Sequence, residues 1–366
     1  MPILEEFRKV ILNPSEFLSP GKSIGYMCNY VPEELIHAAG FTPVRLNAVE
    51  SEGTSRGDMY FSTGNCSFPR RVLDKGLSGA YGFLDGIVFM NGCDHNRRLY
   101  DNWNYAQIQT PWTYLLFVPH SKTDASLNQY INELQKLINH IESIYKLKLS
   151  EQKIRDSIKL YQRKRNLLRN VSSFRGIKLS GTDFLMVMIA TTVLPPDIAC
   201  EKLDELIVEL KNAPQIEKNL RVLVTGNCVE EIEHFEIIEN IGANIVYDNI
   251  CLGSRYFDRD ISMEEEPVIA LAEGYLRSPS CPRIMNDTEK RIELIKEAVK
   301  KYQVDAVIIE KLEFCSMMTG EGWIMSQEFR KEETPFLLLT RELYGGGKSQ
   351  IRTRIQAFYE KVKNLK

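Results

Sequence analysis

The spacing of apolar and polar positions changes twice along this chain. Between residues 24 and 118, short apolar runs recur between polar, glycine-bearing loops: Ile24-Gly25-Tyr26-Met27, Val44-Arg45-Leu46, residues 86–90 and Trp112 to Val118. Short apolar runs bounded by turn residues predict buried strands. Helical signals lie between them. Asn29 and Tyr30 form a turn before Pro32-Glu33-Glu34, where a proline suited to a first helical turn and two carboxylates at the positive end predict a helix running to about Gly40. Another is expected after Cys66, and residues 95–107 read as a third.

From 124 to about 219 the period is helical almost throughout. Leu127, Tyr130, Ile131, Leu134, Leu137 and Ile138 fall at three- and four-residue steps. Residues 126–150 and 150–174 predict two long helices joined by a short turn. Ser180-Gly181-Thr182-Asp183 supplies caps for the next, and Pro195-Pro196 is expected to end it. The basic run Arg163-Lys164-Arg165 is expected on a solvated helix face. Beyond 220 the first style returns, with strands at 221–225, 243–247, 304–309 and 335–339 and helices at 229–241, 288–301 and 350–365. Alternating strands and helices with gaps of this size assemble as parallel sheets. The expected fold is α/β, two Rossmann-like parallel-sheet units with a helical insert between them, divided at 1–123, 124–219 and 220–366.

Composition changes this picture little. A chain of 366 residues exceeds one ordinary core, and 43% hydrophobic with 26% charged residues is usual for a globular protein. A net charge of −3 gives no basic stripe for nucleic acid. The N-terminal stretch has no signal-peptide pattern, and the longest apolar run, Phe184 to Leu194, is about half a membrane span. A cytoplasmic protein with neither nucleic-acid nor membrane partners is expected.

The eight cysteines do change it. In a reducing compartment they are not a disulfide framework, and with no C-x-x-C pair and scattered histidines they are a poor zinc set. Yet Cys93, Cys228 and Cys315 each follow an apolar strand run by a few residues. Open α/β sheets gather their chemistry at the carboxyl ends of strands, so such cysteines can meet around one soft-metal centre. The competing reading is that each is a small buried hydrophobe. Gly345-Gly346-Gly347-Lys348-Ser349 fails as a phosphate loop because Glu342 stands where the first glycine is needed. No G-x-G-x-x-G follows a first strand, which disfavours a nicotinamide enzyme. His95 is either a donor to a ligand or a polar turn residue.

The order of these signals resembles the 2-hydroxyacyl-CoA dehydratase / benzoyl-CoA reductase family along nearly the whole chain, and its smaller, beta-type dehydratase subunit in length. The resemblance rests on Gly25 to Leu35 (GYMCNYVPEEL), Ala38-Ala39-Gly40 and Pro43 to Leu46. It continues in Cys66-Ser67-Phe68-Pro69-Arg70, Cys93-Asp94, Asp248 to Arg255 and Tyr275-Leu276 with Ser280-Cys281-Pro282, and ends in Phe314-Cys315 and Thr353 to Phe358. It implies one [4Fe–4S] cluster held by Cys66, Cys93 and Cys315, with one iron left for a non-protein ligand, and makes 1–123 the cluster-binding domain. Cys28, Cys228, Cys251 and Cys281 are assigned no cluster role, and the single cysteine between Ser55 and Asp85 argues against the larger double-cubane of a related branch.

The implied activity is loss of water from an (R)-2-hydroxyacyl-CoA through a ketyl radical, after one-electron reduction by a separate ATP-hydrolysing iron–sulfur activator. The implied partners are that activator and a paralogous iron–sulfur subunit in a heterodimer. Asn29 and Tyr30 are the candidates for contacting the acyl group, and Glu34 is read as helix N-terminal charge. A benzoyl-CoA-type ring reductase and a non-catalytic electron relay remain open.

Overall fold

A computed structural model describes residues 1–49, 53–342 and 347–365. Gly345 and Gly346 of the glycine run lie outside the described residues. The first unit comprises α1 (Pro2–Leu12), β1 (Ser23–Tyr26), α2 (Glu33–Ala38), β2 (Thr42–Arg45), α3 (Ser67–Leu77), β3 (Gly86–Met90), α4 (Asp94–Tyr105) and β4 (Thr113–Leu116). Four helices follow: α5 (Asp124–Tyr145), α6 (Glu151–Ser172), α7 (Gly181–Thr191) and α8 (Pro196–Asn212). The second unit holds β5 (Leu220–Gly226), α9 (Ile232–Glu239), β6 (Ala243–Asn249), α10 (Ser254–Phe257), α11 (Pro267–Arg277) and α12 (Thr288–Lys301). It ends with β7 (Ala306–Leu312), α13 (Ser316–Lys331), β8 (Phe336–Arg341) and α14 (Lys348–Lys363).

Both sheets are parallel, in the orders β2-β1-β3-β4 and β6-β5-β7-β8. The two orders are the same pattern repeated, so the fold is α/β with two Rossmann-like units. In each sheet the chain winds outward one way and then the other. The point of reversal lies between β1 and β3 in the first sheet and between β5 and β7 in the second, where open sheets leave a crevice. No helix among the described residues is long and apolar enough to cross a membrane.

Several elements differ from expectation. Pro195 and Pro196 do not end α7, which stops at Thr191; they open α8, with Pro195 as its N-cap and Pro196 in its first turn. A proline lacks the N–H that a first turn leaves unpaired anyway, so it starts a helix as readily as it stops one. β7 runs past 309 to Leu312 because Glu310 is fully buried within it, taking His234 Nε2 at 2.7 Å and Arg341 Nε at 2.8 Å.

The basic run is the largest correction. Lys164 and Arg165 are buried, not solvated. Arg165 Nη1 donates to Glu34 Oε1 at 2.7 Å, Tyr275 Oη donates to Glu34 Oε2 at 2.7 Å, and Lys164 Nζ lies 3.4 Å from Glu33 Oε1. Glu34 is therefore a partner in a buried ion pair joining α2 to α6 and α11, rather than only a helix-end charge. Burial pushes its carboxyl up, but Arg165 and the Tyr275 hydroxyl bring it below its ordinary value.

Candidate metal centre

The cysteines of interest sit at the carboxyl ends of strands, as their spacing predicts. Cys28 follows β1, Cys93 follows β3, Cys228 follows β5, Cys251 follows β6 and Cys315 follows β7, each by two or three residues. Cys28 with Cys93, and Cys228 with Cys315, thus flank the points of reversal of the two sheets. The two sets of strand ends face one another. Asn29, after β1, donates from Nδ2 to the carbonyl of Cys251, after β6, at 2.8 Å.

Cys66, Cys93 and Cys315 share a feature that spacing does not reveal. Each is the N-cap residue of a helix: Cys66 of α3, with 11 residues, Cys93 of α4, with 12, and Cys315 of α13, with 16. A helix N-terminus carries unpaired amides and a partial positive charge, which favours an anion beside it and lowers the cost of a thiolate. The structure brings these thiols together. Burial pushes the Cys66 thiol up, followed by the nearby Cys315; the Phe68 amide opposes this, and Cys93 adds to it. Burial likewise pushes Cys93 up to about 11, against the amides of Asn96 and His95 and with Cys315 adding. Cys66 is buried, while Cys93 and Cys315 are half-buried.

These features bear on which group would fit. Among the described residues, no three His, Cys, Asp or Glu side chains close around a single metal ion. A lone zinc needs its ligands to meet at one point about 2.3 Å away. A cluster binds each thiolate through a different iron, so it asks for a wider triangle of sulfurs. Thiols whose protons are held tightly, as those of Cys66 and Cys93 are, are also what a cationic core would relieve, since a coordinated thiol is deprotonated outright. The donor set thus fits an iron–sulfur cluster on chemistry, burial and helix-end charge.

His95 ties two of these loops together. Its Nδ1 accepts the backbone N–H of Cys66 at 3.1 Å, and burial lowers its proton affinity against the pull of Asp94. In the neutral ring the proton then sits on Nε2. Phe314, beside Cys315, holds a left-handed φ of 59° and is 47% exposed.

The other sequence candidates occupy a second corner. Asn29 is committed to holding backbone: besides Cys251, its Oδ1 accepts from Arg45 Nη1, and its carbonyl accepts from Arg259 at 2.7 Å. Tyr30 differs, because its hydroxyl is buried without a hydrogen-bond partner. The Cys28, Cys251 and Cys281 thiols lie close enough to affect one another, Cys28 and Cys281 being pushed up by burial first and by Cys251 next. Four buried arginines surround them, Arg45, Arg255, Arg259 and Arg283. Their functional interest was invisible to composition, since a solitary arginine reads as a surface residue until its burial is known.

Comparison with known proteins agrees with this architecture. The model of the family described as 2-hydroxyglutaryl-CoA dehydratase, D-component, matches residues 28–362. A benzoyl-CoA reductase subunit of Thauera aromatica is 27% identical over 93% of this chain and 91% of its own length. The (R)-phenyllactyl-CoA dehydratase beta subunit of Clostridium sporogenes is 25% identical over 97% of each chain. The lactoyl-CoA dehydratase beta subunit of Anaerotignum propionicum is 24% identical over 98% of each. With a family match across most of its length and the paired parallel sheets in place, this chain belongs to the 2-hydroxyglutaryl-CoA dehydratase D-component family.

Proposed function

We propose that this chain is the iron–sulfur subunit of a 2-hydroxyacyl-CoA dehydratase, removing water from an (R)-2-hydroxyacyl-CoA through a ketyl radical after one-electron reduction. The observation that supports this reading is that Cys315 lies close enough to Cys66 and Cys93 to raise their thiols, and that all three stand at helix N-termini. Cys66, Cys93 and Cys315 would hold a [4Fe–4S] cluster there, and it would supply low-potential one-electron chemistry.

The chain's own residues have separate tasks. The three helix ends stabilise negative charge at the thiolates. His95 holds the Cys66 loop against the Cys93 loop and keeps its proton on Nε2. Glu310, fixed by His234 and Arg341, stiffens the end of β7 that leads to Cys315. The electron is proposed to come from a separate ATP-hydrolysing iron–sulfur activator, and a paralogous subunit to complete the enzyme as a heterodimer. Dehydratase beta subunits among the relatives support the partner in general. A second reading, ring reduction of the benzoyl-CoA type, is favoured by the similarity to the benzoyl-CoA reductase of Thauera aromatica.

The deciding experiment is anaerobic purification with any co-purifying subunit, iron and sulfide analysis, and assay with activator, ATP and a strong reductant. Brown protein that dehydrates 2-hydroxyacyl-CoA esters and leaves benzoyl-CoA unreduced supports the first reading, and the reverse pattern supports the second. Zinc in place of iron, or a loaded protein that turns over neither class of substrate, sinks both.

A further inference from the structure

Arg45, Arg255, Arg259 and Arg283 are at most 6% exposed, and among the described residues none has a carboxylate partner. Their hydrogen bonds go to neutral oxygens. Arg255 Nε donates to Asn249 Oδ1 at 2.7 Å, Arg259 to the carbonyls of Asn29 and Arg255, and Arg283 to those of Pro119 and Val118. Arg283 also lies 5.0 Å from the centre of the Tyr30 ring.

The Cys28 and Cys281 thiols do not supply the missing negative charge. Burial and the neighbouring Cys251 and Cys28 thiols push Cys281 up to about 12, although Arg255 and Arg283 pull the other way. Cys28 is pushed up by burial and by Cys251. Several buried positive charges without a counter-ion are costly. Four donors stand unused among them: Arg255 Nη1, Arg259 Nε, Arg283 Nε and the Tyr30 hydroxyl are all buried with no hydrogen-bond partner. Buried donors without partners are rare in native proteins and call for an occupant.

We propose that this corner of the crevice is a binding site for an oxyanion, a carboxylate or phosphate group, received by Arg255 Nη1 and the Tyr30 hydroxyl and neutralised by the surrounding guanidiniums. Guanidiniums suit both groups because their planar N–H donors match such oxygens. The site goes beyond the dehydratase reading and stands on the arginines whether or not the chain dehydrates an acyl-CoA.

The test titrates the anaerobically purified protein, with any subunit that accompanies it, against inorganic phosphate and succinate. Calorimetry and thermal shift are read at constant ionic strength, with chloride as control. Saturable binding of either anion is expected. Tyr30→Phe removes only a hydroxyl that has no partner, so without anion it should melt at or slightly above the wild-type temperature while binding the anion roughly tenfold more weakly, the share of one hydrogen bond to a charged group. Arg255→Gln should weaken binding further. If that variant fails to fold, Tyr30→Phe decides alone. Preference for phosphate identifies a phosphate-bearing occupant and preference for succinate a carboxylate-bearing one, either of which upholds the site. No binding beyond chloride, or wild-type affinity in Tyr30→Phe, overturns it.

Discussion

Replacing Cys66, Cys93 or Cys315 by serine should remove most of the iron from anaerobically prepared protein. The same change at Cys200, fully buried in α8, should leave iron content as it is; equal loss at all four would remove the case for these ligands. A second residue-scale expectation concerns Glu34 and Arg165. Arg165→Met leaves a buried carboxylate without its cation and should cost about 3–5 kcal/mol in urea unfolding, whereas Glu34→Leu with Arg165→Met should cost much less. These sites were unequally legible. The cysteines announced themselves by following apolar runs. Lys164 and Arg165 were misread, although they share a helical stripe with Ile154, Ile158, Tyr161 and Leu168. Their charge alone made the run look solvated. Tyr30 was marked by its turn, but only the fold distinguishes its unused hydroxyl from the fully engaged amide of Asn29.

Among the elements, strands and long helices were readable because their periods differ, while α11 and α13 went unpredicted. α13 has a mixed surface, with Trp323 and Ile324 exposed and Met318, Met325 and Phe329 buried. Its importance is positional, since it starts at Cys315. The turn between β5 and α9 carries a pH-dependent element. Glu230 is buried, and burial first, then Glu231, raises its carboxyl from 4.5 to about 7, against Arg71. The folded chain therefore binds this proton more tightly than the unfolded chain between those values. Stability from this group is greatest below about 4.5 and declines as pH rises through about 7. Glu230→Gln should flatten that decline, as measured by denaturation midpoints from pH 5 to pH 8; an unchanged slope would place the pH dependence elsewhere.

For the whole molecule, the expected behaviour is that of one part of a larger machine. Protein made without air should contain about four iron and four sulfide per chain, by the preference of clusters for thiolates. It should lose activity on exposure to air and recover with iron and sulfide. Alone it should not turn over, while its paralogous subunit, the activator, ATP and reductant together should restore activity. Dehydration by the isolated chain without ATP would contradict the radical route. The two parallel sheets could be anticipated from the alternation of elements. The joining of the two units could not, because the contacts that close the crevice pair residues such as Asn29 and Cys251 that no local pattern connects.

The docking of α1 has a consequence for how the chain is made. Ile3, Leu4, Phe7 and Val10 are buried, and this helix packs chiefly on α7 and α8. Those helices begin at Gly181 and Pro196, so they leave the ribosome on the order of ten seconds or more after α1 does. In that interval the apolar face of α1 lacks the α7 and α8 surfaces that cover it in the fold. Cys66 and Cys93 wait longer still, since Cys315 is synthesised more than two hundred residues after Cys93. Nascent chains arrested before α7 should therefore engage a general chaperone through α1, and cluster insertion should follow the emergence of Cys315 rather than that of Cys93.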